Sequence, residues 1–178
     1  MKERHEVFSS LEPTIFNTSK VLIMGSAPGE DTIEQRKVSG NNDYYYDKKN
    51  KFWDILEKKY KLEPYLKYKD YEYKTKILEK YKIALWDILS YCTREGSSDK
   101  TIKNPQYDND ILGYLKKYPN IKRIIINGKG NEKWFNKYLK DKNISINIEI
   151  KYLVSTSGSY WDCQPKTERD KWYMYLPD

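Results

Sequence analysis

Chemistry in this chain concentrates where apolar runs break off into small polar residues. Val21–Met24 ends in the turn Gly25-Ser26-Ala27-Pro28-Gly29, Ile124–Ile126 ends in Asn127-Gly128, and Tyr152–Val154 ends in Ser155-Thr156-Ser157. The Asn127 amide offers a donor and an acceptor side by side, which suits reading a ligand's polar edge; it is equally an Asn-Gly turn residue. Ser155, Thr156 and Ser157 bring hydroxyls and backbone N–H groups that can grip an anion, or they form a plain polar connection. Asn50 lies in the aromatic and amide cluster Tyr44-Tyr45-Tyr46-Asp47-Lys48-Lys49-Asn50-Lys51-Phe52-Trp53. It can orient a water or hydrogen-bond a ligand, and it also stands where a helix N-cap belongs. An amide cannot act as a strong base, so any reaction here must need little activation of its nucleophile.

These groups need a scaffold that brings strand ends together. Short apolar runs bounded by turns read as buried strands: Val21–Met24, Ile83–Trp86, Ile121–Asn127 and the end of Ile144–Val154, where isoleucines alternate. Between them, helical spacing of apolar residues predicts helices over Lys51–Lys61, around Ile77–Tyr81, around Ile111–Tyr118 (capped by Asp108 or Asn109), after Asn131, and over Lys166–Tyr175. Residues 1–18 read as a lead-in laid over the core through Phe8, Leu11, Pro13, Ile15 and Phe16. Residues 30–43 read as a polar segment with a flexible tip at Gly40-Asn41-Asn42, and residues 94–99 as a polar loop. Strands alternating with helices predict an α/β domain spanning 1–178, three layers α/β/α, with a central, mainly parallel sheet of about four strands. Ser26, Asn127 and Ser155 then gather along one sheet edge, where such sheets bind ligands.

Lys and Arg number 33 against 26 Asp and Glu, a formal charge of +7, which favours an anionic partner or simply a lysine-rich solvated surface. Eighteen tyrosines oblige many rings to be partly exposed, where they can stack on bases or cover core edges. Cys92 and Cys163 have no metal-ligand spacing and His5 is the single histidine, so neither a metal site nor a Cys/His catalytic pair is expected. No leader and no membrane-length apolar run opens the chain, which points to an intracellular, cytoplasmic protein. Phe52, Trp53, Trp86 and Trp134 read as core.

The turn Gly25-Ser26-Ala27-Pro28-Gly29 and the later Tyr44-Tyr45 and Asn50-Lys51-Phe52-Trp53 resemble the uracil-DNA glycosylase superfamily, and within it the hypoxanthine-DNA glycosylase branch. Further matches follow in family order: Ala84-Leu85-Trp86-Asp87-Ile88-Leu89 with Cys92, Arg94-Glu95-Gly96-Ser97, Asn109-Asp110-Ile111, Ile125-Ile126-Asn127-Gly128 and Leu153-Val154-Ser155-Thr156-Ser157. They span residues 20–160. Two departures stand out: Ser26 and Ala27 replace the acidic or amide residue many members carry in the first turn, and Gly158 follows Ser157 where Pro is common.

The resemblance implies a monofunctional enzyme that flips a deaminated base out of DNA and hydrolyses its glycosidic bond, without cofactor; a monomer is the default expectation. Hypoxanthine is the first choice of base; uracil, alone or in G:U and G:T mismatches, is the second, and a non-catalytic nucleic-acid binding domain the third. On this reading Asn50 and Ser26 are the catalytic candidates. Ala27, Pro28, Gly29, Tyr45, Asn127, Ser155, Thr156 and Ser157 hold the base, with Tyr45 as its stacking face. Lys48, Lys49, Lys51, Gly158, Ser159, Tyr160 and Trp161 meet the DNA, Tyr160 or Trp161 as a wedge. The plain alternatives are solvated charge for the lysines and packing on the sheet edge for Tyr160 and Trp161.

Overall fold

A computed structural model describes residues 6–96 and 98–178, the side chains of 6–9 excepted, so His5, Ser97 and the Phe8 ring lie outside the described residues. After β1 (Glu6–Ser9), the chain enters its main sheet with β2 (Val21–Gly25), followed by α1 (Glu30–Ser39), α2 (Phe52–Tyr60) and α3 (Tyr71–Lys80). Next come β3 (Ile83–Asp87), β4 (Tyr91–Arg94), β5 (Lys103–Gln106), α4 (Ile111–Lys117), β6 (Arg123–Asn127), α5 (Glu132–Asp141), β7 (Glu149–Leu153), α6 (Gly158–Trp161) and α7 (Lys166–Tyr175). The main sheet is four-stranded in the order β3-β2-β6-β7, and every pairing in it is parallel. A separate antiparallel sheet runs β1-β4-β5.

The near-continuous apolar character of β2, β3 and β6 follows from burial on both faces. Alternate side chains go to opposite cores. Val21, Ile23, Ile83, Leu85 and Ile125 pack with Phe52, Ile55, Leu56, Ile77, Leu78 and Trp172 of α2, α3 and α7. Leu22, Met24, Ala84, Trp86, Ile124 and Ile126 pack with Cys92, Ile111, Leu115, Phe135 and Tyr138 of β4, α4 and α5. This is the three-layer α/β/α arrangement anticipated from the alternation of strands and helices. Among the described residues, no helix is long and apolar enough to cross a membrane.

Four local expectations need correction. Residues 30–39 form α1, which carries one buried residue, Thr32, and so shows almost no apolar period; a left-handed Gly40 (φ 72°) closes it by donating to Arg36 O at 2.8 Å. Gly40 is thus a helix C-cap. The α4 cap is Asp110, whose carboxylate accepts from Gly113 N at 2.9 Å, because Asp108 pairs with Ser90 and Asn109 with the Asp87 carbonyl. The isoleucine alternation before β7 forms strand only from Glu149; Ile144, Ile146 and Ile148 instead lie half-buried against the second core. Arg94 is a buried residue of β4 rather than part of a surface loop.

Candidate active site

Because the main sheet is parallel, the carboxyl ends of its strands, at Gly25, Asp87, Asn127 and Leu153, share one edge. The loops leaving them line an open cleft. Ser26, Ala27, Pro28, Gly29, Tyr45, Asn50, Asn127, Ser155, Thr156 and Ser157 all line it, so every residue anticipated as catalytic or base-holding comes together here.

Backbone bonds brace these loops against one another. Ile88 N donates to Gly25 O and Leu89 N to Ser26 O, both at 2.9 Å, which ties the first turn to the exit of β3. Lys51 N donates to Thr156 O at 2.8 Å, tying the Asn50 loop to the exit of β7. Gly158 sits so close to that loop that a Cβ there would lie 2.3 Å from the Lys49 carbonyl oxygen. Only glycine permits that approach.

The Asn50 side chain does what its position at a helix start suggests: its Oδ1 accepts from Phe52 N at 2.9 Å. That bond fixes which end of the amide is which, leaving one lone pair and the Nδ2 hydrogens. The Asn127 amide forms a reciprocal pair with Thr156, donating to Oγ1 and accepting from N at 2.9 Å each. It is therefore first a brace between two strand-end loops, with one N–H remaining. Ser26 is buried, and its hydroxyl donates to Asp99 Oδ1 at 2.6 Å, an oxygen that also accepts from Arg94 at 3.2 Å.

Tyr45 holds a left-handed backbone (φ 58°), rare for a bulky residue and the kind of strain that collects at functional sites. Its ring lies 4.5 Å from Phe52, and its hydroxyl is buried facing Asn127, without a well-formed hydrogen bond among the described residues. Burial pushes that hydroxyl's pKa up; the Asn127 amide opposes the shift, while Asp87 and Asp99 add to it.

Asp87 and Arg94, quoted above only within matching segments, and Asp99 were given no role from sequence, yet all three line the cleft. Asp87 is 3% exposed, and among the described residues its Oδ2 has no hydrogen-bond partner. Its carboxyl packs over Gly25, Oδ1 lying 3.2 Å from where a Cβ would stand, beside the Tyr45 hydroxyl. Burial raises its pKa to about 7; Arg94 and the Leu11 backbone N–H favour the charged form, while Asp99 opposes it. A polar residue closing a buried strand was the available signal, the same one that singled out Asn127. Arg94 also donates to the Pro28 carbonyl, so it clamps the first turn.

The expected DNA-facing residues divide. Lys48, Lys49, Ser159 and Tyr160 (46% exposed) are at the surface beside the cleft, whereas Gly158 and Trp161 (7%) are buried. Trp161 belongs to the core with Trp172 and is no wedge as folded. Trp134, read as core, is only half-buried under Lys133. Among the described residues, no group of three or more His, Cys, Asp or Glu could hold a metal ion.

No family model matches the chain. It is 30% identical over 148 residues to a hypoxanthine DNA glycosylase of Methanosarcina barkeri, covering 83% of this chain and 84% of that protein. It is likewise 30% identical over 142 residues to a hypoxanthine DNA glycosylase of Methanosarcina acetivorans, covering 79% and 80%. The solution NMR structure of a "putative Uracil DNA glycosylase" from Methanosarcina acetivorans superposes with a TM-score of 0.75 at 26% identity, over 96% of this chain and 97% of that one. Identity at this level over nearly the whole fold, together with the ordered strand-end motifs, means that the chain belongs to the hypoxanthine-DNA glycosylase branch of the uracil-DNA glycosylase superfamily.

Proposed function

We propose that this protein excises hypoxanthine from DNA by hydrolysis, as a monomeric cytoplasmic enzyme, with the flipped base held in the strand-end cleft. The observation that carries the reading is the cleft itself. An aromatic ring, two amides and a neutral-tending carboxyl converge there, in a chain related over most of its length to hypoxanthine DNA glycosylases.

In this reading Tyr45, held against Phe52, gives the base a stacking face. Asn50 uses its free lone pair to orient water, and its bond to Phe52 N keeps the amide from flipping. Asp87 supplies what an amide cannot. With its pKa near 7 it is partly protonated at neutral pH, and a neutral carboxyl donates a hydrogen bond to the departing purine. The C1′–N9 bond breaks with its electron pair leaving on the base, which takes the Asp87 proton. The sugar cation then bonds the oriented water, and a proton passes to solvent. A cation this reactive needs positioning of water more than a strong base. Ser26 and Arg94 act one step away by fixing Asp99, a carboxylate that lines the cleft and favours positive charge developing within it. The Asn127 amide hydrogen that Thr156 leaves over favours negative charge on the leaving base.

Product analysis tests this: a deoxyinosine duplex should yield free hypoxanthine and an abasic strand that breaks only after alkali. Strand breakage without alkali would indicate a lyase, and no released base would leave a binding domain.

A further inference from the structure

Residues 61–73 carry a feature that excision does not use. Tyr65 is 69% and Tyr68 62% exposed, and Tyr73 lies partly open nearby, in a stretch interleaved with Lys61, Lys67 and Lys69. Exposing two neighbouring aromatic rings forgoes substantial apolar burial. Tyr65 also holds a left-handed backbone (φ 70°), and its ring centroid lies 6.3 Å from that of Tyr68. Lys69 Nζ stands 5.6 Å above the Tyr73 ring.

The topology puts this stretch on the cleft's edge. β3 starts at the amino edge of the sheet, level with Val21, and α3 ends three residues before it. A ten-residue helix running back along β3 therefore begins at the carboxyl edge, about 15 Å away. Two side chains confirm the placement: Lys74 Nζ meets Asp43 at 3.0 Å, and Lys67 Nζ donates to the Lys48 carbonyl at 3.2 Å and to Asp54. Tyr65 and Tyr68 thus flank a lysine fastened to the Asn50 loop. Ion pairs engage the charges nearby, Lys69 with Glu63 at 4.0 Å, Lys67 with Asp54 at 2.8 Å and Lys76 with Glu72 at 2.7 Å, so what this stretch offers a partner is its rings.

We infer that Tyr65 and Tyr68 form a stacking platform for unpaired bases, extending the active-site cleft into a surface that binds single-stranded DNA. This rests on the DNA-glycosylase reading for its partner. Phosphates alone would be served by lysines; rings add contact only where bases are out of the duplex stack. The platform therefore selects single-stranded or opened DNA over intact duplex.

The test is binding of the full-length protein to an undamaged single-stranded oligodeoxynucleotide and to the matching duplex, with excision from a deoxyinosine duplex followed in parallel. The Tyr65→Ala/Tyr68→Ala double variant should lose roughly 10- to 100-fold in single-strand affinity, since each stacked base contributes on that scale. Duplex affinity should change less than about twofold, because charge dominates there. The Tyr65→Phe/Tyr68→Phe variant should bind as wild type, because stacking needs the ring and not the hydroxyl. Unchanged single-strand affinity in the Ala variant, equal losses for both DNA forms, or a loss in the Phe variant would each overturn the platform. Absent excision by the wild type would instead overturn the glycosylase reading and leave the binding comparison standing.

Discussion

Replacing Asp87 by Asn tests the chemistry and the energetics of the cleft together. Asp87 is wholly buried, faced by Arg94 from β4, Asp99 beyond it, Leu11 N–H from the lead-in, and Tyr44 and Tyr45 from the loop before α2. Holding a carboxyl at about 7 rather than 3.8 costs its charged form up to about 4 kcal/mol. The sign follows from linkage. A raised folded pKa favours the folded state fully below 3.8, and that advantage is lost as pH rises through 7. Asp87→Asn removes the titration, so it should equal wild type in stability near pH 4 and exceed it at pH 8 by up to about 4 kcal/mol, measured by urea unfolding at both pH values. Activity should move the other way. Wild-type single-turnover excision should fall about tenfold per pH unit above 7 as the donated proton is lost. Asp87→Asn keeps a donor but cannot transfer the proton, so its rate should be about 10²–10⁴ lower and flat with pH. A variant that retains the wild-type rate and its alkaline limb, with no gain in stability at pH 8, would refute the role given to Asp87.

Asn50→Ala should lower single-turnover excision by about 10²–10⁴ while costing only about 0.5–2 kcal/mol of stability by thermal melting, the worth of its cap on Phe52 N. Gly158→Ala should push the Lys49 backbone, and Asn50 with it, out of place; a 1 Å displacement costs excision about 10²-fold, and calorimetry should show a loss of about 1–3 kcal/mol. Lys74→Met leaves Asp43 buried without its partner and should destabilise by about 3–5 kcal/mol in urea unfolding, with much of the loss recovered in Lys74→Met/Asp43→Asn.

What could be read from sequence was whatever burial writes as a local pattern. Val21–Met24, Ile83–Trp86 and the isoleucines of β6 declare buried strands, and their polar exits declare the cleft edge, which is why Ser26, Tyr45, Asn50, Asn127 and Ser155 were found together. α1 escaped because a surface helix with one buried residue, held by end effects at Gly29 and Gly40, has no apolar period to show. In the β1-β4-β5 sheet, β1 pairs with a strand some 85 residues on, and its four-residue strands carry little pattern of their own. Asp87, Arg94 and Asp99 were hidden for a different reason: their importance lies in three-dimensional burial and mutual contact, and a lone charged residue in sequence reads as surface. The Asn127–Thr156 pairing, across 29 residues, is likewise a tertiary fact.

Hydrolysis of hypoxanthine from DNA is the activity proposed for the strand-end cleft. It is tested most directly by single-turnover base release from otherwise identical duplexes containing hypoxanthine, xanthine or uracil, using wild type and Asn50→Ala side by side. Wild type should release hypoxanthine fastest of the three, and Asn50→Ala should release it about 10²–10⁴ more slowly at undiminished DNA affinity. Equal, negligible release of every base by both proteins would contradict it.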